Sequence, residues 1–599
     1  MRTLVLIACV QLLSPAAILA DDGAGSDDAP VLRSAIYPAE KDGNRLCVAR
    51  GTVQHFFFVP GNPSERTIDP FRFVLTVPEG VRVIQATGDA VEAYYRPELI
   101  GRKRERRDGR WYVRWEWEAD RALSGRSLEK ARFFNAWCGA MIAGEAVADG
   151  QHPFFWRIEA DELSEPEREG TLVIMPRPKG RQPREIAIAM SGWTISPSPP
   201  FWRRLMRTYR DCGINTVDSG IVTKGDEWLR PAMDAGMERW RLLWWFWWNE
   251  NHLQEHPEHA AVTFGGERDQ RRVCPEIMAS PDTDAIAGLM DGILPGARSG
   301  AIQGTWWDLE GPNVWDVCFC ERCLRAFREF ADIPAEVELT PQRIKAEYHD
   351  QWVKYCCGQS ARIAERMKSY AREQGVDWDL AVYCAIQHDH TREHYRVDWE
   401  MLAPHLDLAT VSYYSVNISD LEKRYTSGVT WMVDLIQSVK DIPVWATIST
   451  GYGRDSHYIA DGRVTRMHLI KPVAFGANGV IQWWWGPVDG RHYHAYAEAS
   501  LLIAELEPFF TDGEMDQELL SGEPREGTTR VAWRLGDRVL VMLFNDRDER
   551  RIYARPTVPN GSRLERDDGR GRLKLEGQEL SASVEPLDCR WVILRLGGE

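Results

Sequence analysis

The sequence predicts an α/β protein built on a (β/α)8 TIM barrel, flanked by an N-terminal β-sandwich and a small C-terminal β domain. Short apolar runs alternate with amphipathic helical stretches eight times between residues 184 and 512. The runs on either side of this region are bounded by Pro, Gly and Asp, which is typical of β domains. The 599 residues also exceed what one hydrophobic core usually holds.

The first twenty residues have the features of a secretory signal peptide. Arg2 precedes an apolar stretch at residues 4–13, and small residues then lead to Ala20, after which we expect cleavage. This stretch is too short to anchor the chain, and no later run reaches about 18 apolar residues. We therefore expect a secreted or periplasmic protein without membrane insertion.

Two regions are predicted to be β domains, at residues 28–180 and 515–599. In the first, the predicted strands are Gln54–Val59, Phe71–Val77, Val81–Ala86, Trp111–Trp117 and Thr171–Met175. In the second, they are Arg530–Trp533, Val539–Asn545, Ile552–Thr557, Leu573–Leu575 and Cys589–Leu596. The stretch between the N-terminal domain and the barrel, at residues 176–183, has the composition of a linker.

Residues 184–512 are predicted to form the barrel. Its eight strands are expected at Glu185–Trp193, Asn215–Gly220, Trp240–Trp248, Gly304–Gly311, Leu380–Ala385, Leu406–Tyr414, Val444–Thr450 and Gly479–Trp485. Helices are expected at Phe201–Cys212, Cys323–Phe330, Ile344–Gln374 and Thr465–Phe475. A doubly wound open sheet is the alternative, but no Gly-rich phosphate loop follows the first strand.

Composition narrows the classes of ligand. A formal net charge of −16 argues against nucleic acid, whose phosphates require stripes of Lys and Arg. The chain contains 26 Trp, and aromatic faces stack on the C–H surfaces of sugars. Composition alone does not distinguish sugar binding from a large hydrophobic core that is rich in Trp.

The end of the fourth predicted strand carries the strongest catalytic signal. Asp308 and Glu310 lie two residues apart, so their side chains share one face of the strand. Two neighbouring carboxylates perturb each other's pKa, which favours one that stays protonated as a general acid. Glycosidic cleavage requires such an acid and, in most families, a second carboxylate. Candidates for that second group are Asp218, Glu250, Asp455 and Asp489.

Aromatic side chains near the ends of other barrel strands are candidate sugar contacts. The predicted substrate-binding residues are Trp193, Trp248, Tyr413, Tyr414, Trp485 and Asp489.

Four cysteines have the spacing of a metal site. Cys318, Cys320 and Cys323 are too close in sequence for convenient mutual disulfides, and Cys274 lies upstream. Four thiolates satisfy a tetrahedral zinc ion, so we expect a structural zinc and no organic cofactor. Disulfides are the alternative in an exported chain. In the predicted sandwich, Cys47 and Cys138 are candidates for a disulfide.

The stretch from Trp307 to Glu310, followed by Cys318-Phe-Cys-Glu-Arg-Cys-Leu-Arg-Ala-Phe-Arg328, resembles the family 42 glycoside hydrolases, β-galactosidase-like members of the clan A barrels. The resemblance implies that Glu310 is the acid/base residue and that the four cysteines hold zinc. Leu309 stands where that family has Asn, and predicted strand seven carries no Glu nucleophile, which indicates a divergent member.

We therefore predict a secreted glycoside hydrolase that cleaves an oligo- or polysaccharide, with Glu310 as general acid/base. One alternative is a barrel that binds carbohydrate without cleaving it. Another is a hydrolase of the chitinase or hexosaminidase type, in which Asp308 and Glu310 act with the substrate's own acetamido group as nucleophile. A third alternative, for which the sequence gives less support, is a lyase or esterase that acts on an acidic polysaccharide.

Overall fold

The computed structural model describes most of the chain. The described residues are 32–86, 95–126, 136–160, 163–191, 199–218, 229–244, 249–309, 311–384, 390–413, 421–439, 441–449, 461–483, 488–522, 527–547, 549–571 and 573–597. The predicted signal peptide lies outside them. None of the helices that they form is long and apolar enough to cross a membrane.

Two sheets come first in the chain, as predicted. Their strands are β1 Arg33–Tyr37, β2 Arg45–Ala49, β3 Gln54–Gly61, β4 Arg72–Pro78, β5 Val81–Gln85, β6 Glu98–Arg107, β7 Arg110–Glu118, β8 Trp137–Ala143, β9 Gly150–Glu159 and β10 Arg168–Met175. One sheet has the order β1-β3-β8-β5 and the other β2-β10-β9-β4-β7-β6. Apolar side chains of both sheets share one core, with Phe58 and Trp137 from the first sheet and Phe73 and Trp117 from the second.

The disulfide suggested for this region is not formed. Cys47 on β2 and Cys138 on β8 are both free, buried thiols. They belong to different sheets of the pair, and burial raises the pKa of Cys47 to about 12. Both cysteines therefore act as small apolar core residues, a common role for buried thiols.

Eight parallel strands then close into a barrel, which confirms the predicted fold class. They are β11 Ala187–Ser191, β12 Thr216–Asp218, β13 Glu238–Trp244, β16 Gly304–Asp308, β17 Asp379–Cys384, β18 Leu408–Ser412, β19 Val444–Ile448 and β20 Gly479–Gln482. Each strand pairs with the next, and β20 pairs with β11. Between β13 and β16 the chain makes an excursion that contains the hairpin β14 Ala260–Val262 and β15 Arg268–Val273.

Helices surround the barrel and fill the excursion. They are α1 Pro199–Asp211, α2 Arg230–Asp234, α3 Glu250–Glu255, α4 Pro275–Ala279, α5 Ala287–Met290, α6 Leu294–Arg298, α7 Glu321–Phe330, α8 Pro341–Glu347, α9 His349–Glu373, α10 His390–Tyr395, α11 Trp399–Leu402, α12 Leu421–Val439, α13 Gly462–Ala474 and α14 Gly490–Asp512. The helix predicted at 344–374 is divided at Tyr348, which ends α8 and precedes α9.

Three tryptophans fill the inside of the barrel. Trp240, Trp306 and Trp445 come from β13, β16 and β19, and their ring centroids lie 5.5 to 6.0 Å apart. Trp307, next to Trp306, belongs instead to the apolar cluster between the barrel and its outer helices. Because side chains alternate along a strand, these positions fix which residues of β16 face the barrel interior.

The C-terminal region forms two small sheets. Their strands are β21 Glu514–Met515, β22 Thr528–Leu535, β23 Arg538–Asn545, β24 Ile552–Ala554, β25 Arg563–Asp567, β26 Leu573–Glu576, β27 Glu579–Val584 and β28 Asp588–Arg595. The orders are β21-β22-β23-β28-β25 and β24-β27-β26. Val531, Leu540 and Phe544 of the first sheet join the same apolar cluster as the barrel interior.

A buried ion pair joins the barrel to this C-terminal sheet. Lys471 Nζ on α13 lies 2.7 Å from Asp546 Oδ1, and both side chains are at most 1% exposed. Thr529 Oγ1 donates to the other oxygen of Asp546 at 3.2 Å. Desolvation by burial lowers the pKa of Lys471 even though Asp546 opposes that shift. Asp546 is therefore a buried counter-ion of this ammonium.

Replacing Asp546 by Ala is expected to lower the free energy of unfolding by about 3–5 kcal/mol, because it leaves a buried charge without its counter-ion. Urea unfolding followed by circular dichroism measures the change. Asp537→Ala is the matched control, since it breaks an exposed pair with Arg595 at 3.4 Å and should have little effect. Equal losses in the two variants would contradict the role of the buried pair.

Candidate functional site

The carboxyl ends of the barrel strands form the face at which (β/α)8 enzymes bind their substrates. Several predicted site residues that follow these ends lie outside the described residues, namely Trp193, Trp248, Glu310, Tyr414 and Trp485. Their roles stay predictions. The described part of this face consists of the strand ends themselves.

Asp308 is the last residue of β16 and lies at this mouth. Its Cα pairs with Trp244 of β13 on one side and with Tyr383 of β17 on the other. Trp306 faces the barrel interior, so alternation places Asp308 on the same inner side, one step nearer the mouth. Asp308 is half-buried, and its Oδ1 atom is shielded from solvent. The predicted catalytic aspartate thus faces the opening above a floor of indole rings.

Two hydroxyl groups are bonded to each other near the ends of the two barrel strands that follow β16. Tyr383 Oη and Ser412 Oγ are 2.5 Å apart, and they join the ends of β17 and β18. Tyr383 pairs in register with Asp308, so carboxylate and hydroxyl groups occupy three consecutive strands. Groups of these types form hydrogen bonds with sugar hydroxyls. The sequence analysis did not single out this pair, although both residues stand near the ends of predicted strands.

A second carboxylate lies at the ends of the first two barrel strands. Asp218 is the last residue of β12, and its Oδ2 accepts a hydrogen bond from Ser191 Oγ at 3.0 Å. Both side chains are buried. Of the other candidates for this role, Glu250 begins α3 with its side chain half exposed and 3.7 Å from Arg271, and Asp455 lies outside the described residues.

Tyr413 follows β18 and is packed away from the mouth. It is only 5% exposed, and its ring meets His468 of α13 edge-on, with centroids 6.2 Å apart. Burial raises the pKa of the Tyr413 hydroxyl well above its usual value. Because Ser412 bonds to Tyr383 across the strand ends, Tyr413 points to the helix side. It therefore does not enter the proposed site.

Asp489 caps α14. Its side chain accepts a hydrogen bond from the Arg491 backbone N–H at 2.9 Å, and the guanidinium of Arg491 contacts both carboxylate oxygens. His492 Nδ1 accepts from the Asp489 backbone N–H at 2.9 Å, which completes a capping box. The carboxylate is fully buried, and although desolvation opposes it, the Arg491 guanidinium holds the pKa of Asp489 far below the usual range. The Asp489 carboxylate is thus fully engaged in capping α14 and in the ion pair with Arg491. Asp489 is therefore not part of the proposed site.

The four predicted metal ligands come together beside the barrel, between the excursion and the segment that follows β16. The sulfurs of Cys274, Cys318, Cys320 and Cys323 all lie within 4.8 Å of one another. Cys274 Sγ is 3.5 Å from both Cys320 Sγ and Cys323 Sγ. Sulfurs bound to one tetrahedral zinc ion at about 2.3 Å are separated by about 3.8 Å. The cluster could therefore hold a metal ion such as zinc.

The surroundings of the cluster suit thiolates. The backbone N–H of Val262 donates to Cys318 Sγ at 3.2 Å, and Gln359 Nε2 donates to Cys323 Sγ at 3.5 Å. Cys274 and Cys320 precede the first residues of α4 and α7, where the helix dipole favours negative charge. Hydrogen bonds among the four thiols lower the pKa of Cys320 and of Cys274, and they raise the pKa of Cys318 and of Cys323. All four cysteines are free of disulfides.

A bound zinc ion would cross-link the excursion to the segment that follows β16. Cys274 comes from the segment after β15, whereas the other three ligands come from the loop and helix that follow β16. All four side chains are buried and belong to one apolar cluster, so water has little access to the ligand atoms. A closed site of four cysteines is typical of structural zinc.

Comparison with solved structures finds distant similarity to glycoside hydrolases. The β-galactosidase of the psychrophilic Marinomonas ef1 is 14% identical with a TM-score of 0.41, and the match covers 55% of this chain and 60% of that one. The cold-adapted β-galactosidase of Rahnella sp. R3 is 13% identical with a TM-score of 0.42, and the match covers 56% of this chain and 58% of that one. The α-L-fucosidase isoenzyme 2 of Paenibacillus thiaminolyticus is 8% identical with a TM-score of 0.46, and the match covers 69% of this chain and 100% of that one.

These similarities transfer no residue role. The chain spans only 60% and 58% of the lengths of the two β-galactosidases. Neither the protein-family models nor the curated proteins give a match to the chain. The resemblance to family 42 therefore stays a prediction.

Proposed function

We propose that the protein hydrolyses glycosidic bonds of an oligo- or polysaccharide at the carboxyl-end mouth of the barrel. The supporting observation is the position of Asp308 at the end of β16, where it follows Trp306 on the inner side of the barrel and pairs in register with Tyr383. Catalytic residues of (β/α)8 enzymes come from such strand ends. A carboxylate and hydroxyl groups at neighbouring strand ends can form hydrogen bonds with the hydroxyl groups of a sugar.

In this proposal Glu310 protonates the leaving glycosidic oxygen. Glu310 comes two residues after Asp308 in the sequence, a spacing at which side chains of an extended chain share one face. Asp308 keeps the acid protonated through its negative charge or orients the sugar, and the hydroxyl pair of Tyr383 and Ser412 binds sugar hydroxyls. The four-cysteine site supplies structural support and takes no part in the reaction.

Two routes complete the proposed reaction. If a carboxylate of the protein acts on the opposite face of the sugar, Asp218 is the described candidate at a strand end. If the acetamido group of an N-acetyl sugar serves as nucleophile, Asp308 stabilises the resulting cationic intermediate. Hydrolysis restricted to N-acetylhexosaminides would favour the second route, whereas cleavage of sugars without that group would favour the first.

The test is the release of reducing ends from a panel of glycans by the purified protein and by the Asp308→Asn variant. We expect hydrolysis of at least one glycan and a loss of about 10–100-fold in kcat for the variant, because a neutral amide cannot supply the charge. Asp537→Asn, far away on the C-terminal sheet, is the control with unchanged kcat. Sugar binding by calorimetry without cleavage of any glycan would replace this proposal with a carbohydrate-binding protein.

A further inference from the structure

Two histidines and an aspartate, which the sequence analysis did not single out, lie together in the excursion after the third barrel strand. His252 lies on α3, and His256 follows directly after the last residue of that helix. A spacing of four residues brings both side chains to one face of the turn. Asp284 approaches from the segment before α5, and ligand atoms of all three residues lie within 4.8 Å of one another.

The distances suit one small metal ion. His252 Nδ1 lies 3.3 Å from Asp284 Oδ1. Two ligands of a tetrahedral zinc ion, each at about 2.0–2.1 Å, are separated by about 3.3–3.4 Å. The ring of His256 has its centroid 4.9 Å from that of His252, so it can supply a third nitrogen with a small rotation.

The other nitrogen of His252 is also occupied in a way that metal-binding histidines favour. His252 Nε2 and His259 Nδ1 are 2.9 Å apart, and His259 Nε2 lies 3.6 Å from Glu258 Oε1. A hydrogen bond at the far nitrogen fixes the tautomer and the ring orientation of a ligand.

The segments that carry the ligands are held together without a metal. Asn249 caps α3, and its Oδ1 accepts from the His252 backbone N–H at 3.0 Å. The amide nitrogen of the same side chain donates to the Ala285 carbonyl at 3.1 Å. One side chain thus fixes the start of α3 against the residue that follows Asp284. The positions of the ligands are therefore preorganised.

We propose that His252, His256 and Asp284 form a second metal site, separate from the cysteine cluster, for a divalent transition-metal ion of the Zn²⁺ class. Imidazole nitrogens suit Zn²⁺, Ni²⁺ and Cu²⁺, and one carboxylate balances part of the charge. Three protein ligands leave an open coordination position. The side chain of Asp284 is 70% exposed, whereas that of His252 is 5% exposed, so the ion lies at the surface with solvent on one side. This site should exchange its metal readily, unlike the closed cysteine site.

Titration calorimetry with Zn²⁺ tests the site on the full-length protein whose cysteine cluster is already loaded. We expect one further Zn²⁺ per chain, binding lost in the His252→Ala/His256→Ala double variant, and affinity reduced by about tenfold or more in Asp284→Asn. His152→Ala is the control, since it removes a surface imidazole of the N-terminal sheets and should leave the titration unchanged.

A second measurement separates loss of the site from loss of the fold. Co²⁺ bound by thiolates gives an intense sulfur-to-metal absorption band, which histidine and carboxylate ligands do not give. The double variant should keep this band from the cysteine cluster and its native circular dichroism. Wild-type protein that binds no second ion, or a folded double variant that binds Zn²⁺ as tightly as wild type, would overturn the proposal.

Discussion

Replacement of Glu310 by Gln is expected to lower kcat for glycoside hydrolysis by about 10²–10⁴-fold, the usual contribution of a general acid. Gln has nearly the same size and polarity as Glu, but its amide cannot transfer a proton to the leaving oxygen. Sugar affinity and Tm should stay close to those of the wild type. Initial rates on the glycan identified in the panel, with calorimetry for binding, measure both quantities.

The matched control for this variant is Glu329→Gln, which makes the same chemical change on an exposed position of α7. A substrate with an activated leaving group adds a second comparison, because it needs little protonation. Glu310→Gln should lose much less rate on that substrate than on the natural glycan. Unchanged turnover of the natural glycan by Glu310→Gln would remove this residue from the mechanism.

Removal of the metal from the cysteine cluster is expected to lower Tm by about 10 °C or more. Four buried thiols without an ion would lose the cross-link between the excursion and the segment after β16, and they would repel one another when ionised. The Cys320→Ser variant should lose the sulfur-to-Co²⁺ band and one Zn²⁺ per chain. Calorimetric melting and metal analysis measure the two effects.

Cys356→Ser is the control for that experiment. Cys356 is a buried thiol of α9 outside the cluster, and burial raises its pKa to about 11, as expected for a neutral core thiol. This variant should keep the band and the zinc content of the wild type. Freshly purified protein without any bound zinc would contradict the assignment of the cluster.

The barrel was the part of the fold that sequence patterns predicted best. Parallel strands that are covered on both faces consist of continuous apolar runs, and β19 is buried at every position. The N-terminal sheets were harder to predict. Strand β6 has the sequence Glu-Leu-Ile-Gly-Arg-Lys-Arg-Glu-Arg-Arg and lies at a sheet edge with most of its residues exposed, so it lacks the apolar alternation that marks a strand.

Residues of the candidate sites could be predicted from the sequence only where they lie close together along the chain. Cys318, Cys320 and Cys323 lie within six consecutive residues, and this spacing alone predicts a metal site. In contrast, Asp489 looks like any polar residue after a strand, and only the structure shows that it caps a helix. The spacing from His252 to His256 was a signal in the sequence, but its partner Asp284 lies on another segment. Contacts of that kind depend on the path of the chain between them.

The shared apolar cluster of the barrel has a consequence for how the protein can be dissected. It continues outward into Phe57 and Val59 on one flank and into Trp533 and Leu540 on the other. At Gly490 the first turn of α14 comes so near the backbone of β2 that an added Cβ would lie 2.8 Å from Ala49 N. An isolated barrel would expose these apolar side chains to water. Truncation to residues 184–512 is therefore expected to favour aggregation.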